Sequence, residues 1–533
     1  MVRVAAFCST GAAWHGRYGM GQFPSCNRAH SHLWLSLVLL ALAGGLFSQN
    51  DRLLRLEQDV RSTEEVHEVL PLGPEGLLVI YPGEERDAEG RVPWQVLFYD
   101  SAMRPGWKRT ESLPTGARLI RGQADQGEAH LLFMAQDGSQ GWVLGLDLHD
   151  GSDISIDFRP EERVDVHYFS RKGPYFLIGA ADKKHRLQPW LLDSMGRAVR
   201  LETGQEEEQW LDDALWLEGS TEIVLAYKYR SSRRSHGIRL QAYNAEGQRT
   251  WSSEFAERND RGHSAARLAK GRGQEVLLVG AYSLDERTAS YTSQSPAFET
   301  ASGLFTARIL GGDLIQGPDY HPFKEFANYF SHLSYNEVSR MKATPAESSP
   351  SVDFRVLMQG LRPVNGSFVL MAEAYYEKYH YVSRMSYDIY GRPVPSSYTV
   401  FDGYQYTNAF IAAFDSSGVR LWDNNVEMSD LLVQERRQFM EVLPDRDEIV
   451  LAWVDDSHIT SQAIHGRQVT ALPERTPLES PGTGQRSIEG ENERIQYWYG
   501  HYALCSGYQK IRFTGQTGGD RRTLFYVSKV IYR

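Results

Sequence analysis

Cysteine is scarce in this chain of 533 residues, which contains only Cys8, Cys26 and Cys505. Two of the three lie in the first 26 residues, far in sequence from the third. If the N-terminal segment is removed as a signal peptide, Cys505 remains alone and an intramolecular disulfide cannot form. The stability of the mature protein must then come from its hydrophobic core.

The sequence also lacks an apolar run of about 20 residues, the length that a helix needs to span a bilayer. Its N-terminal apolar stretch, Leu33 to Phe47, follows a segment that carries Arg3, Arg17 and Arg28 and no acidic residue. This order predicts a signal peptide over residues 1–48, with an uncleaved N-terminal membrane anchor as the alternative. We therefore expect a secreted or periplasmic protein of the cell envelope, with no stable membrane span after cleavage.

Basic residues are too few to balance the acidic ones. Lys and Arg number 57 against 68 Asp and Glu, a formal net charge of −11, and loss of the three N-terminal arginines would leave about −14. Nucleic acids and anionic membranes attract clusters of Lys and Arg, so this balance predicts neither as a partner. We expect a protein or a glycan as the ligand, and a monomer.

Common catalytic and cofactor motifs are missing as well. The chain has no HExxH, no GxSxG, no phosphate-binding GxxxxGK and no CxxC. These absences exclude the commonest zinc, acyl-transfer and nucleotide sites. The aspartate-rich segment Asp147–Asp157 lacks the spacing of a calcium loop and predicts a hairpin turn. We predict no metal and no cofactor.

What the chain does contain is a repeat of about 50 residues. HLLFMA (His130–Ala135) and WVLGLD (Trp142–Asp147) illustrate the two apolar strands that recur in each unit. A tight turn precedes the first of them, as at Asn365-Gly366 and Ser506-Gly507. Eight such units of four short antiparallel strands predict an all-β fold, an eight-bladed β-propeller in one domain over residues 49–533, with seven blades as the alternative.

The last unit predicts how the ring closes. After Gly500 the sequence supplies only three strands before it ends. The segment Arg52–Val60 alternates in the manner of a strand and can provide the missing outer one. We therefore predict a propeller that is closed by an N-terminal strand.

Two units resemble a known repeat. AAFDSSGVRLW (Ala412–Trp422) and QAYNAEGQRTW (Gln241–Trp251) are similar to the quinoprotein-type (PQQ-like) propeller repeat, in which Ala, Asp, Gly and Trp mark a strand, a turn and the next strand. That family includes quinone-dependent dehydrogenases and non-enzymatic envelope scaffolds. The adjacent cysteine pair that resembles the enzyme branch is absent, so the resemblance implies the architecture and argues against quinone chemistry.

The loops are longest in units five and six. The segment between the second and third strands of unit six predicts an extended hairpin over residues 375–408. An insertion over residues 321–352 begins with His321–Leu333, whose apolar residues recur at helical spacing and predict a short helix between blades five and six. Thr476–Glu493 is predicted to be a polar linker. One face of the ring is therefore expected to carry the long loops.

The predicted hairpin is crowded with tyrosines, and two interpretations remain open. The rings can pack on the hairpin itself, because tyrosine suits strand surfaces. Alternatively, they form an aromatic wall that grips a glycan or a peptide. The candidate ligand-binding residues are Tyr375, Tyr376, Tyr379, His380, Tyr387, Tyr390, Tyr404 and Tyr406.

Carboxylates beside these tyrosines allow an enzyme as the alternative to a binding or scaffold protein. A glycoside hydrolase or lyase needs an acid and a base at suitable separation. The candidates for these roles are Glu373, Glu377, Asp388 and Asp402. Two other polar stretches, Asp423–Asn425 and Asp445–Glu448, are predicted to be turns. We favour the non-enzymatic protein, with its ligand on the face of the long loops.

Overall fold

The chain is built almost entirely from antiparallel β-strands. The computed structural model describes residues 54–125, 127–204, 208–232, 235–256, 261–284, 300–329, 354–387, 389–428, 431–446, 448–470, 472–478, 485–513 and 521–532. These residues belong to a compact unit that spans Leu53–Arg533, and the predicted signal peptide over residues 1–48 lies outside them. Among the described residues, no helix combines the length and the apolar character needed to cross a membrane.

The described residues form eight sheets. The first strand, β1 (Arg55–Asp59), pairs with the last described strand and belongs to the eighth sheet. The first sheet contains β2 (Glu68–Pro71), β3 (Leu77–Pro82), β4 (Val92–Tyr99) and β5 (Pro105–Leu113). The second contains β6 (Arg118–Asp125), β7 (Glu128–Met134), β8 (Gly141–Asp147) and β9 (Asp153–Phe158). The third contains β10 (Asp165–Lys172), β11 (Tyr175–Ala181), β12 (Trp190–Asp193) and β13 (Ala198–Arg200). The fourth contains β14 (Glu208–Trp216), β15 (Ile223–Ser232), β16 (Ser235–Tyr243) and β17 (Arg249–Ala256).

Next come β18 (Gly262–Lys270), β19 (Val276–Ser283), β20 (Thr300–Ala301), β21 (Gly303–Leu310) and β22 (Asp313–Pro322), of which all but β20 form the fifth sheet. The sixth sheet joins β20 to β23 (Phe354–Met358), β24 (Arg362–Val364), β25 (Ser367–Tyr387), β26 (Pro393–Phe414), β27 (Arg420–Glu427) and β28 (Leu432–Val433). The seventh contains β29 (Glu441–Pro444), β30 (Ile449–Asp455), β31 (His458–His465), β32 (Gln468–Val469) and β33 (Glu474–Pro477). The eighth contains β34 (Gln485–Tyr499), β35 (Tyr502–Phe513), β36 (Arg521–Ile531) and β1.

The repeated hairpins of the sequence are present in these sheets. The predicted pair His130–Ala135 and Trp142–Asp147 corresponds to β7 and β8, and the same pairing recurs along the chain. At Asn365-Gly366 both residues have positive φ, 48° and 77°, as a two-residue hairpin turn requires. The prediction of an all-β fold is confirmed, and the succession of mostly four-stranded antiparallel sheets is consistent with a β-propeller.

Buried side chains join each sheet to the next along the chain. In the described residues they form eight apolar clusters, each shared by two sheets. One of them joins the eighth sheet to the first, where Trp498 and Phe525 pack with Val79, and the indole Nε1 of Trp498 donates to the carbonyl of Gly76 at 2.7 Å. Burial of each such side chain contributes about 1.5–3 kcal/mol.

Strand β1 occupies the place that the sequence predicts for it. Its five residues pair with β36 from Arg55 opposite Ser528 to Asp59 opposite Leu524. The Arg55 side chain is 1% exposed and its guanidinium carbon lies 4.3 Å from the centre of the Tyr526 ring. Its Nη2 also donates to Gln509 at 2.6 Å, and Gln509 donates to the hydroxyl of Ser457 at 3.0 Å. The N-terminal strand is thus tied to both the seventh and the eighth sheet.

Two predictions about the last unit are wrong. Ser506-Gly507 is not a turn but lies inside β35, and the turn falls at Gly500-His501 instead. Glycine is needed at position 507 because a Cβ there would meet the Cα of Glu493 at 2.8 Å. The predicted polar linker Thr476–Glu493 is largely strand, since β33 and β34 occupy its two ends.

The predicted helix at His321–Leu333 is not formed in the described part of this segment. Strand β22 extends to Pro322 and a single 3₁₀ turn follows at Phe323–Glu325. Phe323, Phe326 and Tyr329 are buried, and Phe323 stacks on Phe410 with ring centres 3.8 Å apart. In the described residues, Phe323 and Phe326 are therefore buried from a 3₁₀ turn and the residue that follows it, not from an α-helix. Residues 330–353, including the rest of the predicted insertion 321–352, lie outside the described residues.

Asp423–Asn425 form no turn either, but lie buried within β27. Asp423 accepts from the backbone N–H of Ala327 at 2.7 Å, and the Asn328 side chain donates to Asn424 at 2.9 Å. Asn425 donates to the carbonyl of Asn328 at 3.2 Å. These polar side chains are buried because they satisfy the backbone of the segment that precedes residue 330.

Replacement of Arg55 by alanine tests the anchoring of β1. We expect Arg55→Ala to lower the free energy of unfolding by about 2–4 kcal/mol, because it removes a buried cation from the Tyr526 face and takes one donor away from the side-chain oxygen of Gln509. The matched control is Arg61→Ala, whose side chain is 78% exposed and pairs with Glu84. It should cost less than about 0.5 kcal/mol. Equal urea midpoints for the two variants would contradict this anchoring.

Candidate functional site

The most prominent surface feature is the hairpin formed by β25 and β26. Its two strands pair continuously from Phe368 opposite Phe414 to Tyr387 opposite Pro393. Near its base β23, β24, β27 and β28 flank it within the sixth sheet. Beyond Tyr376 on β25 and Tyr404 on β26, the described residues supply no further strand. We call residues 376–404 the arm; at about 3.3 Å per residue it reaches about 40 Å from the sheet.

Two bulges decide which side chains share a face of the hairpin. Thr407 and Asp402 are extra residues on β26, so the register shifts after Ala374 and again after Lys378. Strand β25 has no bulge, and its side chains alternate regularly between the two faces. One face carries Glu377, Tyr379 and Tyr381 of β25. We call it the aromatic face, and it also carries Phe401 and Tyr404 of β26.

The rings on the aromatic face form a continuous series. Neighbouring ring centres lie 5.0–5.8 Å apart, mostly edge to face. From the protein interior to the arm, the series is Phe439, Tyr406, Tyr375, Tyr404, Phe401 and Tyr379.

The exposed fraction of the side chains rises steeply from the base of this series to Tyr379 and to Tyr381, which lies farther out on the same face. Tyr406 and Tyr375 are only 1% and 4% exposed, whereas Tyr379 is 51% and Tyr381 81% exposed. The Tyr406 hydroxyl donates to the carbonyl of Arg437 at 2.6 Å, and Arg436 donates to the Tyr375 hydroxyl at 3.1 Å. Tyr375 and Tyr406 therefore pack the base of the arm, while the rings farther out face solvent. The packing interpretation fits the base of the arm, and the binding interpretation stays a prediction for the exposed rings.

The opposite face of the arm has a different character. Tyr376 and His380 lie there with Lys378, and Tyr398 stands opposite Val382. Tyr376 and Tyr398 are 48% and 53% exposed. His380 forms a hydrogen bond through Nδ1 with the carboxylate of Asp402, the bulged residue. At the tip, Tyr390 is 77% exposed. The side chain of Tyr387 and all of Asp388 lie outside the described residues.

Glu373 organises the base of the arm from inside the protein. It is completely buried and accepts hydrogen bonds from the backbone N–H groups of Phe439 at 3.1 Å and Met440 at 2.9 Å. The side-chain amide of Gln359 donates to it at 3.0 Å. Burial raises the pKa of Glu373 to about 7, although the three donors act in the other direction. This carboxylate fixes the segment that carries Arg436 and Arg437 against the aromatic series.

The other described carboxylates near the tyrosines also have partners. Glu377 pairs with Arg355 at 2.5 Å and accepts from the Tyr379 hydroxyl at 2.7 Å. This hydrogen bond is the main cause that raises the pKa of Tyr379. Asp402 is held by His380, and Gln434 donates to its backbone carbonyl at 2.6 Å. Within the described chain, His, Cys, Asp and Glu form no group of three that could hold a metal ion.

Several residues of this site escaped the sequence analysis. Phe401 and Tyr381 belong to the aromatic face, and Phe439 and Arg436 complete its base. The tyrosine count drew attention to the hairpin, but assignment to a face requires the positions of the two bulges. Phe439 lies far from the hairpin in sequence, and no local pattern marks it.

Comparison with known proteins yields no family. No family model matches the chain, and no curated protein sequence matches it significantly. The quinoprotein-type resemblance therefore remains confined to the two motifs that suggested it.

Solved structures give weak similarities. A structure from a study of two prolyl endopeptidases has 7% identity and a TM-score of 0.37, covering 78% of this chain and 50% of that one. For the AfRom2 CNH domain the identity is 9% and the TM-score 0.35, with 79% and 96% covered. For prolyl oligopeptidase B from Galerina marginata the values are 9% and 0.34, with 92% and 60% covered. The chain thus spans only half to three fifths of the length of the two peptidases.

Glu373 should make stability depend on pH. Its pKa is higher in the folded protein than the ordinary value of 4.5, so the folded state retains a proton that the unfolded state has lost between pH 4.5 and 7. Its contribution to stability therefore falls as the pH rises through this window, by up to about 3 kcal/mol. Glu373→Gln removes this titration, while its amide oxygen can still accept from Phe439 and Met440.

The measurement is the difference in unfolding free energy between the variant and the parent, from urea curves at the two ends of this pH window. We expect the unfolding free energy of Glu373→Gln, relative to that of the parent, to increase as the pH rises. Glu427→Gln, which changes an exposed carboxylate in the same sheet, should show no such gain. A constant difference between Glu373→Gln and the parent would refute this role of the buried carboxylate.

Proposed function

We propose that this protein is a non-enzymatic binding or scaffold module, an eight-bladed β-propeller whose ligand-binding surface is the arm. Its place in the secreted, periplasmic or envelope fraction rests on the signal sequence at residues 1–48. The ring is closed by β1, and the ligand is a protein or a glycan.

Closure of the ring is supported by the contacts at both ends of the chain. The eighth sheet contains the N-terminal strand and shares an apolar cluster with the first sheet. First strands of successive sheets also lie side by side, as β2 with β6, β6 with β10 and β34 with β2. A ring with eight blades satisfies these contacts and leaves no sheet edge between blades uncovered.

The exposed half of the aromatic face is the observation that carries the proposal. Tyr379, Tyr381 and Phe401 are 51%, 81% and 38% exposed on a two-stranded arm that leaves the sheet. A hairpin of two strands has little stability of its own in water, so an exposed aromatic surface on it is costly unless a partner covers it. Rigid rings with a hydroxyl at one end are also the side chains that dominate binding interfaces.

The tilt of the rings favours a polypeptide over a polysaccharide as the ligand. Sugars stack on ring faces that lie in one plane. On the arm, the Tyr379 and Phe401 rings meet at 61° and the Phe401 and Tyr404 rings at 73°. Such a surface presents ring edges and clefts, which suit the side chains of another protein.

No specific observation favours the glycoside hydrolase or lyase alternative. Glu373 is enclosed in the core, Glu377 is paired with Arg355, and Asp402 is paired with His380. The roles of these carboxylates in holding the arm together account for their presence.

The test compares the two faces of the arm. The purified chain from residue 49 onward is screened on a glycan array and with a phage-displayed peptide library. Tyr379→Ser with Tyr381→Ser should weaken binding of the selected ligands by about 30-fold or more, the effect expected when a binding hot spot is lost.

Tyr376→Ser with Tyr398→Ser is the control, since it removes two half-exposed tyrosines from the opposite face. Both variants should unfold at the parental temperature. The proposal is supported if the library yields peptides that bind the parent and the control but no longer bind the Tyr379→Ser, Tyr381→Ser variant. Ligands that both variants bind as well as the parent, or lose equally, would overturn it.

A further inference from the structure

A second site lies away from the arm, in a cavity of about 480 Å³ between the first strands of the sheets. Its walls come from β6, β10 and β14, with Arg267 of β18 and with Gly360 and Gln438. The volume is in the range of cavities that hold small molecules.

The first strands of four successive sheets share a bulge beside this cavity. The extra residues are Ile120, His167, Asp212 and Ser264. A bulge takes one residue out of the ladder and turns side chains in a new direction. His167 and Asp212 line the cavity, as do Arg121 and Asp213, which follow the bulged residues of their strands.

Arg267 closes one part of the wall. Its guanidinium donates to the carbonyls of Met358 at 2.6 Å, Gln359 at 3.0 Å and Asp212 at 3.0 Å. These bonds connect the fourth, fifth and sixth sheets. They also occupy most of its donors, so Arg267 contributes charge to the cavity more than free hydrogen bonds.

Two carboxylates on β14 are fixed in place by their neighbours. Asp212 accepts from the N–H of Ala266 at 2.9 Å and pairs with Lys228 at 3.3 Å. Asp213 accepts from the N–H of Leu268 at 2.9 Å. Each carboxylate retains lone pairs that can accept a further donor from the cavity.

Arg121 is the cation on the wall formed by β6. Its side chain is exposed, and the described residues offer its guanidinium no hydrogen bond or ion pair. Tyr168 stands within electrostatic range of both Arg121 and Asp213, and its hydroxyl donates to the carbonyl of Ala214 at 3.2 Å. Desolvation lowers the pKa of His167, which also lines the cavity.

Charges of both signs line the cavity, and Lys228, which does not line it, pairs with Asp212. Arg121 and Arg267 supply two cations, and Asp212 and Asp213 supply two carboxyl groups. Among these groups, Arg121 is the one suited to attract an anion, and the two carboxyl groups on β14 are suited to accept from a cation. A molecule with both charges satisfies both walls.

We propose that the cavity binds a small zwitterion, a free amino acid or a short peptide, with its carboxylate on Arg121 and its ammonium group on Asp212 and Asp213. Arginine suits a carboxylate because its planar fork forms two parallel hydrogen bonds. This site is independent of the arm, and its failure would leave the proposed function untouched.

The experiment uses the purified chain from residue 49 onward and measures binding by calorimetry and by the thermal unfolding midpoint. The probes are the common free amino acids, dialanine and trialanine, each at about 10 mM, a concentration that stabilises the fold if Kd is millimolar or tighter. N-acetyl-dialanine and dialanine amide, each of which lacks one of the two charges, are the matched control ligands.

We expect at least one zwitterion to bind, and its singly charged form to bind at least about 10-fold more weakly. Binding of a free amino acid but of neither peptide would identify a single amino acid as the ligand. Binding of dialanine or trialanine would identify a short peptide. Absence of any shift with all zwitterions, or equal binding of the acetylated and amidated forms, would overturn the proposal.

Two variants assign the binding to the cavity. Arg121→Gln should reduce zwitterion binding at least about 10-fold without loss of the unfolding midpoint, since its side chain is exposed. Arg118→Gln lies on the same strand but pairs with Asp165 at 2.6 Å and does not line the cavity, so it should bind as the parent does. Unchanged binding by Arg121→Gln would show that the ligand sits elsewhere and would refute the assignment.

Discussion

The pairing of β1 with β36 is the contact on which the remaining sheets depend. Every other sheet of the described chain is built from strands that are close in sequence, and each can form locally. Only the eighth joins residues from both ends of the protein. Opening this terminal pair would expose the apolar clusters on both sides of the eighth sheet, so we expect the sheets to unfold cooperatively. The buried Arg55 makes that opening expensive.

The sequence predicted the repeated hairpins well because strand alternation and turn residues are local signals. It failed where a residue serves a distant partner. The pair Ser506-Gly507 has the residue types of a turn. Position 507 is nevertheless glycine because the backbone of Glu493 passes close to it. Asp423–Asn425 look like a solvated turn, yet they are buried against the segment around Asn328. The faces of the arm depend on bulges at Thr407 and Asp402, and nothing in the local pattern marks those positions.

The base of the arm and the cavity rely on the same physical device. In both places a buried or enclosed polar side chain holds backbone groups outside its own sheet, Glu373 at Phe439 and Met440, and Arg267 at Met358 and Gln359. Sheets packed only by apolar contacts could slide past one another. Hydrogen bonds to specific carbonyls and N–H groups fix their register, and the positions of the arm and of the cavity walls follow from that register.

The two prolines on β26 have a consequence for the protein in concentrated solution. Pro393 and Pro395 stand opposite Tyr387 and Met385 at the far end of the arm. Neither has an N–H to offer to an incoming strand, so the part of the ribbon farthest from the body is a poor template for cross-β growth. A long exposed hairpin rich in tyrosine would otherwise be a place where fibrils start. The proposed binding surface thus lies on a ribbon whose far end resists the addition of a further strand.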